Sequence, residues 1–206
     1  MKIKTHKTAV VIIPPENLWQ PIQEIRCKHD RHFRRWMPHI TMIYPFRPRE
    51  DFDELANQFY PACEHFPPFQ ISFSLINQFQ HPGGNFTLWL SPEPKEPIIA
   101  LQTALFDLVP DCNDVSRFKS GFTPHLSLGQ VKGKSAMLKF RDTLQSDWKL
   151  LSFMLCEICF IYRNDPPDDV FRVSHRIKFD KFLYSARKKN IGHGIGIFLR
   201  QIILID

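Results

Sequence analysis

Glycine is scarce, at 8 of 206 residues. Its one adjacent pair, Gly83-Gly84, is not followed by Lys-Ser/Thr, so it reads as a turn and not as a phosphate-cradling P-loop. Cysteines are few and odd in number, 5 in all. That speaks against a secreted disulfide framework and for a reducing compartment, so the cytoplasm or nucleus is the expected setting. Long apolar runs are missing. Residues 1–7 are basic, but the apolar run at 9–13 is cut by Pro14 and Pro15. It is too short for a signal-peptide core or a membrane span. No large charge excess exists either: 27 Lys and Arg face 21 Asp and Glu, a net of +6. This mild basic excess is compatible with an RNA or phosphate-bearing partner without requiring one.

What is present is an ordinary globular composition, 43% apolar and 23% charged. That excludes a wholly disordered chain or a fibre, and the length suits one sizeable domain. Short β-rich runs at 10–13 and 39–44 are bounded by prolines and read as inner strands. Leu18, Ile22 and Ile25 set a helix within 16–33, with a start after Pro21 as one reading. Phe52, Leu55, Ala56 and Phe59 set another. Residues 69–79 alternate, with Phe69, Ile71, Phe73 and Leu75 on one face. They form a hairpin with 86–90 across the turn at 81–84. A helix over 98–109 presents Ile98, Leu101, Leu105 and Leu108. The order then recurs: a strand at 126–131, a helix at 135–148 with Met137, Leu138, Leu144 and Trp148 inward, one long strand at 152–162, and a last strand at 170–179. The expected fold is α+β. It has two similar lobes, each a mainly antiparallel sheet with helices outside, facing a central cleft. Residues 1–179 form the domain. Residues 180–206 are a basic, Gly- and Ile-rich tail placed outside the core, with a partner or membrane contact as the alternative.

Two segments match each other: Pro38-His39-Ile40-Thr41-Met42 and Pro124-His125-Leu126-Ser127-Leu128. A single His-x-Ser/Thr carries little information. The five-position pattern, repeated on a strand in each half, carries much more. Alternate residues of a strand share a face, so His39 and Thr41 project together about 7 Å apart, as do His125 and Ser127. With the lobes related by a pseudo-two-fold axis, two imidazoles and two hydroxyls meet in one cleft. Hydroxyls donate to phosphate oxygens, and imidazoles exchange protons near neutral pH.

This pair of motifs resembles the 2H phosphoesterase superfamily, which includes the 2′-5′ RNA ligase-like and cyclic phosphodiesterase proteins. The likeness spans roughly residues 7–179. It implies an α+β fold around a cleft and cleavage of phosphodiesters without a metal or other cofactor. The substrates implied are 2′,3′-cyclic phosphates on RNA ends or related nucleotides. The motif positions carry over as His39, Thr41, His125 and Ser127. We assign His125 as base and His39 as acid in an in-line hydrolysis. Some members carry a basic residue just after the second motif; here Gly129-Gln130 stands instead, and Gln130 can still donate a hydrogen bond.

Tyr44, Phe46, Phe122 and Gln130 are candidate substrate contacts, with ring stacking on a base as the reason for the aromatics. For Phe46 and Phe122 burial in the core is the first reading and a base-stacking wall the second. Strict alternation sets Tyr44 on the face opposite His39 unless the strand bends at Pro45. Trp36 is a further stacking candidate, and Arg34 and Arg35 could meet phosphates. Cys156-x-x-Cys159 lies within an apolar strand, has no second pair and makes no zinc site. His29 and His32 lack a third ligand. The partners expected are an RNA end or a nucleotide, with no DNA duplex, no membrane span and a monomeric chain. Cleavage of linear 2′-5′ or 3′-5′ RNA linkages, and a non-catalytic RNA- or nucleotide-binding module, are the rival readings.

Overall fold

A computed structural model describes residues 3–116 and 121–179. The tail expected at 180–206 lies outside the described residues. Eight strands form one sheet in the order β6-β3-β4-β5-β2-β1-β7-β8. They are β1 Thr8–Ile12, β2 Ile40–Ile43, β3 Phe69–His81, β4 Asn85–Glu93, β5 Leu126–Lys132, β6 Leu151–Leu155, β7 Glu157–Tyr162 and β8 Arg172–Lys178. The helices are α1 Trp19–His29, α2 Phe52–Glu64, α3 Glu96–Asp107 and α4 Lys134–Asp147.

Every strand pairing is antiparallel. The sheet divides naturally into two halves of four strands, and the motif strands β2 and β5 are the inner strand of each. The halves join at a single register pair, Ile40 opposite Leu126. The α+β architecture of two similar halves is thus present, with the two sheets continuous through the motif strands.

The main core lies between the sheet and the helices. Val10, Ile12, Ile40 and Leu126 meet Ile22 of α1, Phe59 of α2, Leu101 of α3 and Met137 of α4. Phe46, Phe52, Phe59 and Phe160 form an aromatic knot with ring centroids 5.1–5.8 Å apart. Edge-on and tilted pairs of this kind add about 0.5–1.5 kcal/mol each beyond area burial. A smaller cluster of Val11, Cys159, Ile161 and Phe171 lies on the other face of the sheet, with Trp36 and Tyr44 packed on it.

Several sequence expectations shift. Helix α1 begins at Trp19, ahead of Pro21, because a proline in the first turn has no intrahelical N–H bond to lose. The long strand at 152–162 breaks at Cys156: β6 is an edge strand beside β3, whereas β7 pairs with β1 and β8 in the other half. The alternation of β3 resets at Ser74, which bulges between Phe73 and Leu75. Leu75 is therefore 51% exposed and Ile76 is buried. Leu108 lies past the end of α3, and Leu138 is turned away from the core beside the buried Met137; both are partly exposed.

Candidate functional site

The motif strands run side by side and antiparallel, and Ile40 opposes Leu126. That register sets His39 across from Ser127 and Thr41 across from His125, all on the face opposite the buried Ile40 and Leu126. Two imidazoles thus take one diagonal of a four-residue square and two hydroxyls take the other.

Each histidine is held in the same way. His39 Nδ1 lies 2.7 Å from the Met37 carbonyl, and His125 Nδ1 lies 2.8 Å from the Thr123 carbonyl. A carbonyl can only accept, so Nδ1 carries the proton in both rings, and Nε2 is left as the exchanging nitrogen. Burial lowers both imidazole pKa values, that of His39 to about 4, and in each ring the carbonyl bond opposes the shift. Arg26 and His125 push His39 further down.

The two rings have different aromatic settings. Trp36 stacks on His39 with centroids 4.6 Å apart and planes 18° apart. Phe79 meets His125 edge-on at 4.9 Å, and Trp89 lies 5.9 Å away. His39 and Thr41 line a cleft of about 280 Å³ with Ser127, Tyr44, Gln130 and Trp36. His125 is not among these lining residues and borders a separate recess of about 400 Å³ with Phe79 and Thr123.

A repeated irregularity shapes the cleft. On β2, Thr41 pairs with Val11 and Ile43 with Val10, so Met42 is an extra residue. On β5, Ser127 pairs with Trp89 and Gly129 with Leu88, so Leu128 is the extra residue. A bulge at the same motif position in both strands flips the succeeding residues to the other face. It carries Tyr44 and Gln130 to the cleft side, where strict alternation would not put Tyr44.

The other expected contacts divide. Phe46 is fully buried in the aromatic knot, which corrects its candidacy as a substrate contact and agrees with its core reading: it comes directly after Pro45 and pairs through its backbone with Thr5. Phe122 packs on the main core and does not line the cleft. Arg34 and Arg35 both bind Asp169, a carboxylate held below its usual range first by the Arg34 hydrogen bond and then by the charges of both arginines. Arg35 still lines the cleft.

Sequence reasoning missed the contribution of α1. Arg26 is 2% exposed and donates to Asp30, Gln23 and the Trp36 carbonyl. Asp30 also accepts from the His32 backbone N–H and from Gln130, and Gln130 accepts from the Arg31 N–H at 3.1 Å. Arg26, Asp30, His32 and Arg35 therefore join Gln130 at the cleft. The only local signal was the Arg26/Asp30 spacing of i, i+4. Helix α1 reaches this position because Gly129 has no side chain: a Cβ there would lie 2.5 Å from the His29 Cβ.

The remaining candidates lie elsewhere. Cys156 sits at the break between β6 and β7, and burial pushes the Cys159 thiol up to about 12. His29 packs on Phe140, His81 on Thr87, and His175 on Asp53. Among the described residues no three His, Cys, Asp or Glu side chains gather as a metal-binding group, and no helix is long and apolar enough to cross a membrane.

A sheet with paired His-x-Thr/Ser strands at its centre is the architecture of the 2H phosphoesterases. The family model of the 2′-5′ RNA ligase superfamily matches residues 14–167, and the chain belongs to that family. Over 125 residues it is 26% identical to "Putative phosphoesterase GK0864" of Geobacillus kaustophilus, covering 60% of this chain and 69% of the relative. The fold is similar to that of TT0787 of Thermus thermophilus, with a TM-score of 0.55, 15% identity, and coverage of 84% of this chain and 97% of that one. It is also similar to E. coli LigT crystallised with 3′-AMP, with a TM-score of 0.52, 16% identity, and coverage of 86% of this chain and 99% of that one.

Proposed function

We propose that this chain is a metal-independent phosphodiesterase that opens 2′,3′-cyclic phosphates on RNA ends or related nucleotides. The observation that carries the reading is the doubled histidine geometry. Each Nδ1 is anchored on the carbonyl two residues upstream, each Nε2 is left to exchange a proton, and each ring has a hydroxyl two residues downstream on the same face. A binding module needs no such pair of titrating groups.

In the proposed reaction a water oxygen attacks phosphorus in line with a ribose oxygen. His125 Nε2 takes the proton of the water. The bond from phosphorus to the ribose oxygen breaks, and His39 gives that oxygen its proton. The product is a phosphate monoester, and one proton has passed in net from His39 to His125. Thr41 and Ser127 donate to the non-bridging oxygens as their charge builds. Burial keeps His39 neutral in the free protein, with its pKa at about 4, so the acid role relies on the bound phosphate anion to raise the proton affinity of the ring. The cleft is of a size for one nucleotide, and the related LigT has been crystallised with 3′-AMP and with phosphate.

The test uses the full chain in EDTA with an RNA ending in 2′,3′-cyclic phosphate, beside linear 2′-5′- and 3′-5′-linked dinucleotides. Ring opening of the cyclic end is expected to be the fastest reaction. Cleavage of the linear substrates alone would replace this reading with an exonuclease, and binding without turnover would reduce it to a nucleotide-binding module.

A further inference from the structure

Arg26 lies in the last turn of α1 and Asp30 directly follows the helix. Their side chains are 2% and 3% exposed, and both line the cleft. Stability gives little reason for the pair. Two charges taken out of water give up about as much hydration as their attraction returns. A carboxylate at the C-terminal end of a helix also faces the negative end of the helix dipole.

What the pair holds is the approach to both motifs. Arg26 directs its donors three ways: Nε to Asp30 at 2.9 Å, Nη1 to Gln23 at 3.0 Å, and Nη2 to the Trp36 carbonyl at 3.0 Å. Asp30 accepts from Arg26 on Oδ2. On Oδ1 it accepts from the His32 N–H at 2.9 Å and from the Gln130 amide at 3.3 Å. The turn from Asp30 to Trp36 is closed by backbone bonds, from the Phe33 N–H to the Asp30 carbonyl and from the Trp36 N–H to the His32 carbonyl.

The Trp36 carbonyl is one peptide away from the Met37 carbonyl that faces His39 Nδ1. Holding the first peptide limits the swing of the second, and the second sets the tautomer and the aim of the ring. The Trp36 side chain stacks on the same imidazole. A continuous run of contacts therefore leads from Gln130, beyond the second motif, through Asp30, Arg26 and Trp36 to His39 in the first.

We infer that Arg26 and Asp30 are positioning residues for His39: as one unit they fix the Trp36–Met37 backbone that anchors the ring and tie it to the second motif strand through Gln130. The inference rests on the proposed function for the task of the ring, and on this network for how the ring is held.

The pair also balances charge at the imidazole. The titratable and charged groups about His39 are Arg26, Asp30, His32 and Arg35 from α1 and the turn after it, Tyr44 after β2, and His125 just before β5. Arg26 disfavours the protonated ring, and Asp30 favours it. Removing one partner at a time should therefore move His39 in opposite directions, whereas loosened burial would raise its proton affinity in both cases.

The experiment sets Arg26→Met/Asp30→Leu, Arg26→Lys, Arg26→Gln and Asp30→Asn beside the unaltered full chain. Proton–nitrogen spectra of the imidazoles read tautomer and protonation without any substrate, and His39→Ala assigns the ring. The apolar pair should keep the urea midpoint of the unaltered chain. Its His39 should lose the single Nδ1–H tautomer, and kcat on a nucleoside 2′,3′-cyclic phosphate should fall about 10–100-fold, the scale of a misaimed group. Arg26→Lys keeps the charge without the planar fork that reaches three acceptors. It should show the same tautomer loss, and it decides the matter if the apolar pair does not fold. At one pH, His39 should be less protonated in Asp30→Asn and more protonated in Arg26→Gln than in the unaltered chain. An unchanged tautomer in the apolar pair, or in Arg26→Lys, would overturn the inference. So would a rise in protonation in both single-charge variants, which would make the pair merely structural. Absence of turnover on the cyclic substrate in the unaltered chain would overturn the proposed function, and the spectra would still decide the positioning role.

Discussion

Tyr44 and Gln130 occupy one place in two copies of one motif, each five residues after its histidine. Each is brought to the cleft by a bulge at the residue just after the motif hydroxyl, Met42 in β2 and Leu128 in β5. The two side chains differ in chemistry, so a symmetric backbone presents an asymmetric pocket. Tyr44 offers a ring. Gln130 offers an amide already engaged by Asp30 and the Arg31 N–H. With no cation at position 130, two arginines line the cleft: the buried Arg26, paired with Asp30, and the more exposed Arg35, steadied on its other side by Asp169. Arg35→Gln should therefore raise KM for a phosphate-ended substrate more than it lowers kcat. A charged hydrogen bond is worth about 1.5–3 kcal/mol, or roughly 10–100-fold in kcat/KM. Steady-state kinetics would remove Arg35 from substrate binding if kcat/KM stayed unchanged.

His39→Ala and His125→Ala should each abolish most turnover and leave the far-ultraviolet spectrum unchanged. The double variant should be little worse than either single one, because groups that act as a unit do not add. Near-full activity in either single variant would end the two-histidine mechanism.

Thr41 and Ser127 complete the square of motif side chains, and in the proposed reaction they donate to the phosphate. Removing one donor that meets developing charge costs about 10–10³ in rate. Thr41→Ala and Ser127→Ala should fall in that range, and Thr41→Ser should be mild. A thermal melt run beside the kinetics separates the cases: a loss explained wholly by unfolding makes the residue structural.

The motif pair was legible because it rests on local physics. A proline-bounded strand alternates, so histidine and hydroxyl share a face whatever the partner strand does. Tyr44 was legible as a residue but not in its facing, because the bulge at Met42 arises from pairing with Val10 and Val11 of another strand. Phe46 shows the reverse: near the motif in sequence, it is drawn into the core by Phe52, Phe59 and Phe160, all remote from the site. Arg26 and Asp30 looked like one more helical ion pair. Their place at the cleft depends on the docking of α1 against β5, which a single sequence does not display. The break at Cys156 was hidden for a similar reason: two strands that belong to opposite halves read as one apolar run.

Gly129 is where that docking is tightest. An added Cβ would lie 2.5 Å from the His29 Cβ and 2.8 Å from the His29 carbonyl carbon and oxygen. Much of that obstruction is helix backbone, which cannot swing aside as a side-chain tip can. Gly129→Ala should destabilise the chain by about 1–3 kcal/mol, the usual cost of overpacking. It should also raise KM, because α1 carries Arg26 and Asp30. A chemical-denaturation midpoint equal to that of the unaltered chain would show that the helix has room to move.

Acid should act on both the fold and the rate, with signs fixed by burial. The folded pKa of His39 is about 4 against an ordinary 6.5, and that of His125 is also lowered. Below the ordinary value the unfolded chain takes up protons that the folded chain refuses. The stabilisation from keeping these rings neutral is therefore complete above about pH 6.5 and lost as pH falls toward 4. The urea midpoint should drop across that window and be flat above it. The proposed mechanism needs one neutral and one protonated ring, so the rate profile should be bell-shaped, with apparent pKa values that belong to the pair. A phosphate anion bound beside the rings raises their proton affinity. The bell in kcat should therefore lie at higher pH than the bell in kcat/KM, which reports the free protein. EDTA should change neither curve. Two coincident bells would mean that the bound phosphate does not couple to the imidazoles, and activity lost in EDTA and restored by Mg²⁺ or Zn²⁺ would replace the acid–base mechanism with a metal-assisted one.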